Sequence, residues 1–117
     1  MNKKHQNNQL KTPYFTKLKE YGESNPTPFD VPGHKLGKLN NEMLDYAGHN
    51  IFKLDANAPK GLDNLSKPQG VLKEAQDLMA EAFGADRAYF LTNGTTQGIL
   101  AVIMSEVRAN QKILLPR

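Results

Sequence analysis

The sequence predicts an α/β chain: a helix, a strand, a second helix and a second strand in succession, forming the βαβ start of a mainly parallel sheet behind an irregular helical amino-terminal segment. Three observations predict it. Val71, Leu72, Ala75, Leu78, Met79, Ala82 and Phe83 recur at helical spacing, with Lys73, Glu74, Asp77 and Glu81 on the other face. The runs Arg87 to Leu91 and KILLP (112–116) are short, and aromatic or aliphatic, as buried strands are. Between them ILAVIM (99–104) is apolar nearly all round, which marks a helix covered on most sides. Strand, tight turn, buried helix and strand make a βαβ unit, whose strands run parallel.

Taken in order, residues 1–11 (MNKKHQNNQLK) form a polar, disordered tail. Thr12-Pro13 opens a helix with Tyr14, Leu18 and Tyr21 on one face, and Gly22 and Pro26 end it. NPTPFDVPGHKLG (25–37) is loop by its prolines and glycines. A short helix spans about 41–46, residues 51–56 (IFKLDA) read as a short strand, and NAPKGLDNLSKPQG is irregular. The helix from 71 stops at Gly84, where a left-handed residue is favoured, and the apolar helix runs from Thr95 to about Ala109. Three parts result: the tail 1–11, a helix-and-loop segment 12–67, and 68–117 as the incomplete start of a larger domain.

Composition narrows the function classes. With 23% charged residues among 117, the chain is of globular type. It has no run of about 20 apolar residues, as a membrane span requires. Its net charge of +3 comes with no aromatic stripe, which argues against nucleic acid. Cysteine is absent, so disulfides and thiolate zinc sites are excluded and a reducing, cytoplasmic location is expected.

The chemistry concentrates in Asn93-Gly94-Thr95-Thr96, between the first strand and the apolar helix. Ligands of open α/β sheets collect where a strand ends and the next helix begins. There a helix presents unpaired N–H groups and a partial positive charge, suited to an anion. Gly94 admits a phosphate close to the backbone, and Thr95 and Thr96 add hydroxyl donors. On the residues alone, simple capping by Asn93 or Thr95 stands level with phosphate binding. Gly33–Lys38 is no P-loop, being one residue short between its glycines with Leu39 where Ser or Thr belongs. His5, His34 and His49 lack metal-ligand spacing, and His34 in its loop reads as structural or solvated rather than catalytic.

The order FDVPGHKLG, GLDNLSKPQGVLKEAQDLMAEAFGA, FLTNGTTQG and KILLPR resembles the amino-terminal part of the Orn/Lys/Arg decarboxylase family over residues 12–117. The resemblance implies a pyridoxal-phosphate enzyme of fold type I, with Gly94, Thr95 and Thr96 gripping the cofactor phosphate. It implies a basic amino acid substrate, a place in polyamine metabolism and a homodimer or larger assembly. It also places the cofactor-bearing lysine, the carboxylate on the pyridine nitrogen and the stacking histidine beyond Arg117, so that this segment is a fragment inactive by itself. Ser66 and Lys67 depart from the family, standing where it usually has histidines. The alternatives are another fold-type-I enzyme, an aminotransferase or lyase, and a non-catalytic phosphate-binding or interaction module.

Overall fold

Pro13 opens the first helix at a position whose N–H would have no partner in any case, and α1 spans Pro13–Glu23. The computed structural model describes residues 8–39, 42–59 and 61–116; most of the tail 1–11 lies outside the described residues. After α1 come a 3-10 turn at Lys35–Gly37, two short helices, α2 (Glu42–Ala47) and α3 (His49–Lys53), and two long ones, α4 (Val71–Phe83) and α5 (Gly94–Glu106). Helix α1 packs on α4 and α3, α2 packs on α3, and α3 packs on the 3-10 turn.

Gly22 does not terminate α1 but lies within it, buried. A Cβ there would stand 2.8 Å from the Lys53 carbonyl oxygen and 2.9 Å from its Cβ, so glycine lets α1 meet the end of α3 at backbone distance. Gly37 answers two demands together. Its φ is +77°, and a Cβ would meet Leu44 Cδ2 at 3.0 Å and Phe52 Cβ at 3.2 Å. Lys35 and Leu36 before it also take positive φ, which turns Leu36 into the core.

That core consists of Leu18, Leu36, Leu44, Phe52, Leu62, Leu72 and Ala80. All of it precedes Gly84. On α4 the buried stripe is Leu72, Gln76 and Ala80, one turn apart, facing α1. Met79 and Phe83 were expected inward and instead stay exposed, Phe83 at 80%, because no element covers their side of the helix. Gly84 stops α4 as expected, at φ 63° and ψ 31°. The N–H of Ala85 donates to Ala80 O at 2.9 Å, closing a Schellman end.

The amino end of α4 is closed from a distance. Gly70, its N-cap, has no side chain to offer. Asp63 supplies the acceptor: its carboxylate receives the N–H groups of Gln69 (3.0 Å), Gly70 (2.8 Å) and Leu72 (3.0 Å), and of Asn64 (2.8 Å). Partial burial pushes this carboxyl up, but the N–H donors of Gln69, Asn64, Gly70 and Leu72 outweigh it and lower the pKa to about 2. Asn64 Oδ1 accepts the Ser66 N–H at 2.9 Å, and Asn64 O accepts the Lys67 N–H at 3.1 Å. Ser66 and Lys67 thus take part through backbone groups that any side chain would leave in place.

The α/β expectation is overturned. Regular structure among the described residues is all helical, with no strand or sheet. Residues 51–53 lie in α3, and 87–91 and 112–116 are irregular. A strand exists only with a neighbour to share its N–H and C=O groups. The two apolar runs meet no such neighbour, so no βαβ unit forms. The coverage expected for α5 is missing for the same reason: the helix has no buried residue, and Ile99, Leu100, Val102 and Met104 are all exposed. The radius of gyration is 18.7 Å, against about 13 Å for a compact domain of this size. No helix among the described residues is long and apolar enough to cross a membrane.

Two outcomes follow for stability. Gly22→Ala gains helix propensity but drives a methyl into the Lys53 backbone, for a net loss of about 1–2 kcal/mol in urea unfolding. Asp63→Ala uncovers the start of α4 and costs about 1–2 kcal/mol at neutral pH. The Asp63 pKa is lowered on folding from 3.8 to about 2, so its contribution is complete above pH 5 and disappears as pH falls through that interval. Unfolding midpoints of wild type and Asp63→Ala therefore converge towards pH 2.

Candidate functional site

Helix α5 begins at Gly94, within the Asn93–Thr96 stretch. Gly94 takes φ +76°, a conformation an L side chain reaches only with strain, and nothing lies within 4 Å of where a Cβ would stand. Asn93 occupies the N-cap at φ −103° and ψ 27°, and its side chain makes no capping hydrogen bond. The capping alternative is therefore not realised by Asn93. The first N–H groups of a helix have no acceptor within it. Here they belong to Gly94, Thr95, Thr96 and Gln97, all exposed.

Gly94, Thr95 and Thr96 thus share one exposed turn of neutral donors. The first turn of α5 contains no acidic residue, so no carboxylate repels an incoming anion. Two hydroxyls, several backbone N–H groups and the positive end of a 13-residue helix form a donor set that fits a phosphate dianion. The open space before Gly94 leaves the approach free. Chemically the turn can hold and orient an anion; it contains no group suited to general acid or base catalysis.

His34 is engaged in the helical core. Its Nε2 donates to Asp55 Oδ2 at 3.0 Å, and its ring meets Phe52 edge-on at a centroid distance of 5.1 Å. Its Nδ1 is buried and without a hydrogen-bond partner among the described residues. The neighbouring lysines are tied down too, Lys35 Nζ donating to Asp30 O and Lys38 Nζ to Pro26 O at 2.7 Å. The PGHK loop is a structural clasp joining 26–38 to 52–55. Among the described residues no group of three or more histidines and carboxylates could hold a metal ion.

Sequence reasoning missed Asp55, Asp63, Gly22 and the seat of Leu91 against Gly98. Asp63 left one legible signal: a helix preceded by Pro-Gln-Gly, with no cap of its own, and an Asp just upstream. The others depend on tertiary neighbours.

Comparison with known proteins adds the family. A family model described as Orn/Lys/Arg decarboxylase, major domain, matches residues 12–117. The chain is 43% identical over 110 residues to an arginine decarboxylase of Bacillus anthracis, covering 93% of this chain and 22% of that protein. It is 39% identical over 110 residues to an arginine decarboxylase of Bacillus subtilis strain 168, with the same coverage. To the inducible ornithine decarboxylase of Escherichia coli K12 it is 30% identical over 120 residues, covering 97% of this chain and 16% of that one. The chain therefore spans about a fifth of the length of these relatives. No solved structure is significantly similar to it.

Replacing His34 by alanine removes the bond to Asp55 and the ring contact with Phe52. The expected cost is about 1–2 kcal/mol of unfolding free energy, with Asp55→Asn costing less than half as much. Equal stability of His34→Ala and wild type in urea would show that the clasp carries no weight.

Proposed function

This chain belongs to the Orn/Lys/Arg decarboxylase family, and from that premise we propose that it supplies the phosphate-binding turn of a pyridoxal-phosphate-dependent decarboxylase of basic amino acids. One observation carries the proposal: α5 starts at a glycine of positive φ, unhindered and uncapped, followed by two threonines and no acid. In this reading Gly94 lets the phosphate lie against the backbone, while Thr95 and Thr96 donate hydroxyl and N–H bonds to its oxygens. The cofactor, when bound, supplies the electron sink into which the bond to the departing carboxylate collapses. The work of these residues is positional: charge-assisted bonds at a helix terminus, about 1.5–3 kcal/mol each, hold the phosphate and so the attached ring. A ring held at one end is oriented for the bond that must break.

The reading assigns the remaining chemistry, including the lysine that carries the cofactor, to a polypeptide of the relatives' length; these residues alone are inactive. A homodimer or larger assembly in the cytoplasm belongs to the same proposal. Higher identity to the arginine decarboxylases than to the ornithine decarboxylase favours arginine as the first substrate to assay. The exposed apolar side chains of α5, Ile99, Leu100, Val102 and Met104, speak against a self-sufficient phosphate-binding module.

The test uses the polypeptide of full family length. Wild type is expected to release carbon dioxide and the corresponding amine from arginine, lysine or ornithine. Thr95→Ala/Thr96→Ala is expected to lose cofactor on dialysis, with affinity reduced roughly 100-fold. Undiminished cofactor content and activity in the double variant would remove the phosphate role; no amine from any of the three would remove the decarboxylase assignment.

A further inference from the structure

Gly98 poses a question that the backbone does not answer. It lies inside α5, where glycine is the poorer helix former, and unlike Gly94 it has no left-handed φ to justify it. Its neighbours Gln97, Ile99 and Leu100 are exposed while Gly98 is half-buried. The cover is Leu91: an added Cβ at Gly98 would lie 2.4 Å from Leu91 Cδ1 and 3.5 Å from both Cδ2 and Cγ. Leu91 is the second residue before the N-cap Asn93, and Gly98 is one turn inside the helix. The contact therefore bridges the whole polar turn, from two residues before the N-cap to bare backbone one turn inside the helix.

We infer that the seating of Leu91 on Gly98 is a positioning contact for the Gly94–Thr96 turn. It fixes the angle at which residues 91–93 reach α5 and hence the direction of the donors. The turn needs such a tie, because Asn93 makes no side-chain cap and Gly94 has open space beside it. Neither Leu91 nor Gly98 touches the anion; both act through the backbone between them. The inference rests on the phosphate-binding reading above and names the residues that set its geometry.

The test uses the 15N-labelled polypeptide of full family length in its cofactor-free form, titrates it with pyridoxal 5′-phosphate and follows the amide signals of Gly94, Thr95 and Thr96. Gly98→Ala, Leu91→Ala and the double variant are compared with wild type, with helix content followed by circular dichroism. A purely structural role predicts that Gly98→Ala is more helical and binds at least as well, since alanine favours helix. A positioning role predicts equal or greater helicity with affinity reduced roughly three- to tenfold in either single variant, and a double variant no weaker than the singles. Wild-type affinity in both singles, with wild type itself binding, overturns the positioning contact and leaves the phosphate reading intact. Additive losses in the double variant overturn it as well. Wild-type amides that do not respond to the ligand overturn the phosphate reading, and this inference with it. An absent nuclear Overhauser contact between the Leu91 methyls and Gly98 in wild type removes the inference before any titration.

Discussion

The first N–H groups of a helix point out of its end with no acceptor inside it, and burying or blocking them unpaired is costly. The two longest helices here meet this constraint in opposite ways. At α4 the chain brings its own anion: Asp63, nine residues before Leu72, folds its carboxylate over the helix start. At α5 it brings no anion. The turn is opened by Gly94, flanked by hydroxyls and kept clear of carboxylates. One end is closed by the protein's own charge; the other carries no charge of its own, which is where the proposed phosphate would sit.

The closed end organises the rest. Because Asp63 holds the loop after Leu62 against α4, the fully buried Leu62 and the stripe Leu72–Gln76–Ala80 enter the same core as Leu18 of α1. The close crossing at Gly22 and the turn at Gly37 then bring α3 and the PGHK loop onto that cluster. Beyond Gly84 no side chain among the described residues is buried, although the hydrophobicity of the chain is highest there. The cofactor-binding turn proposed here therefore projects from a small helical body on an uncovered helix.

What could be read from the sequence was local. Helix α1 from Pro13, the stop at Gly84, and the tight turn that opens α5 each follow from residues within a turn of one another. What could not be read was set by neighbours. The periodic apolar residues of α4 form two stripes, and only contact with α1 decides that Leu72, Gln76 and Ala80 are inside while Met79 and Phe83 are not. The apolar runs at 87–91 and 112–116 have strand-like composition, but composition supplies no ladder partner, and among the described residues neither run forms a strand. Gly22 looked like a terminator because a glycine's second use, close approach of another backbone, is invisible until that backbone is known. The place of Gly94, Thr95 and Thr96 at the start of α5 was legible by type and spacing; Leu91 against Gly98 was not, since it depends on how the chain turns between them.

The pairing of α1 with α4 also has a consequence for the ribosome. The inward face of α1, with Leu18 and the bare backbone at Gly22, is complete once Glu23 has been added, yet its principal cover ends only at Phe83. About 60 further residues must be joined before that cover exists, which takes on the order of 3–12 seconds at usual elongation speeds. During that interval the nascent chain presents a half-made apolar surface. Slow codons placed between α1 and α4 would lengthen this exposure, whereas slow codons placed soon after α4 has emerged would give the helical body time to close before the greasy α5 appears.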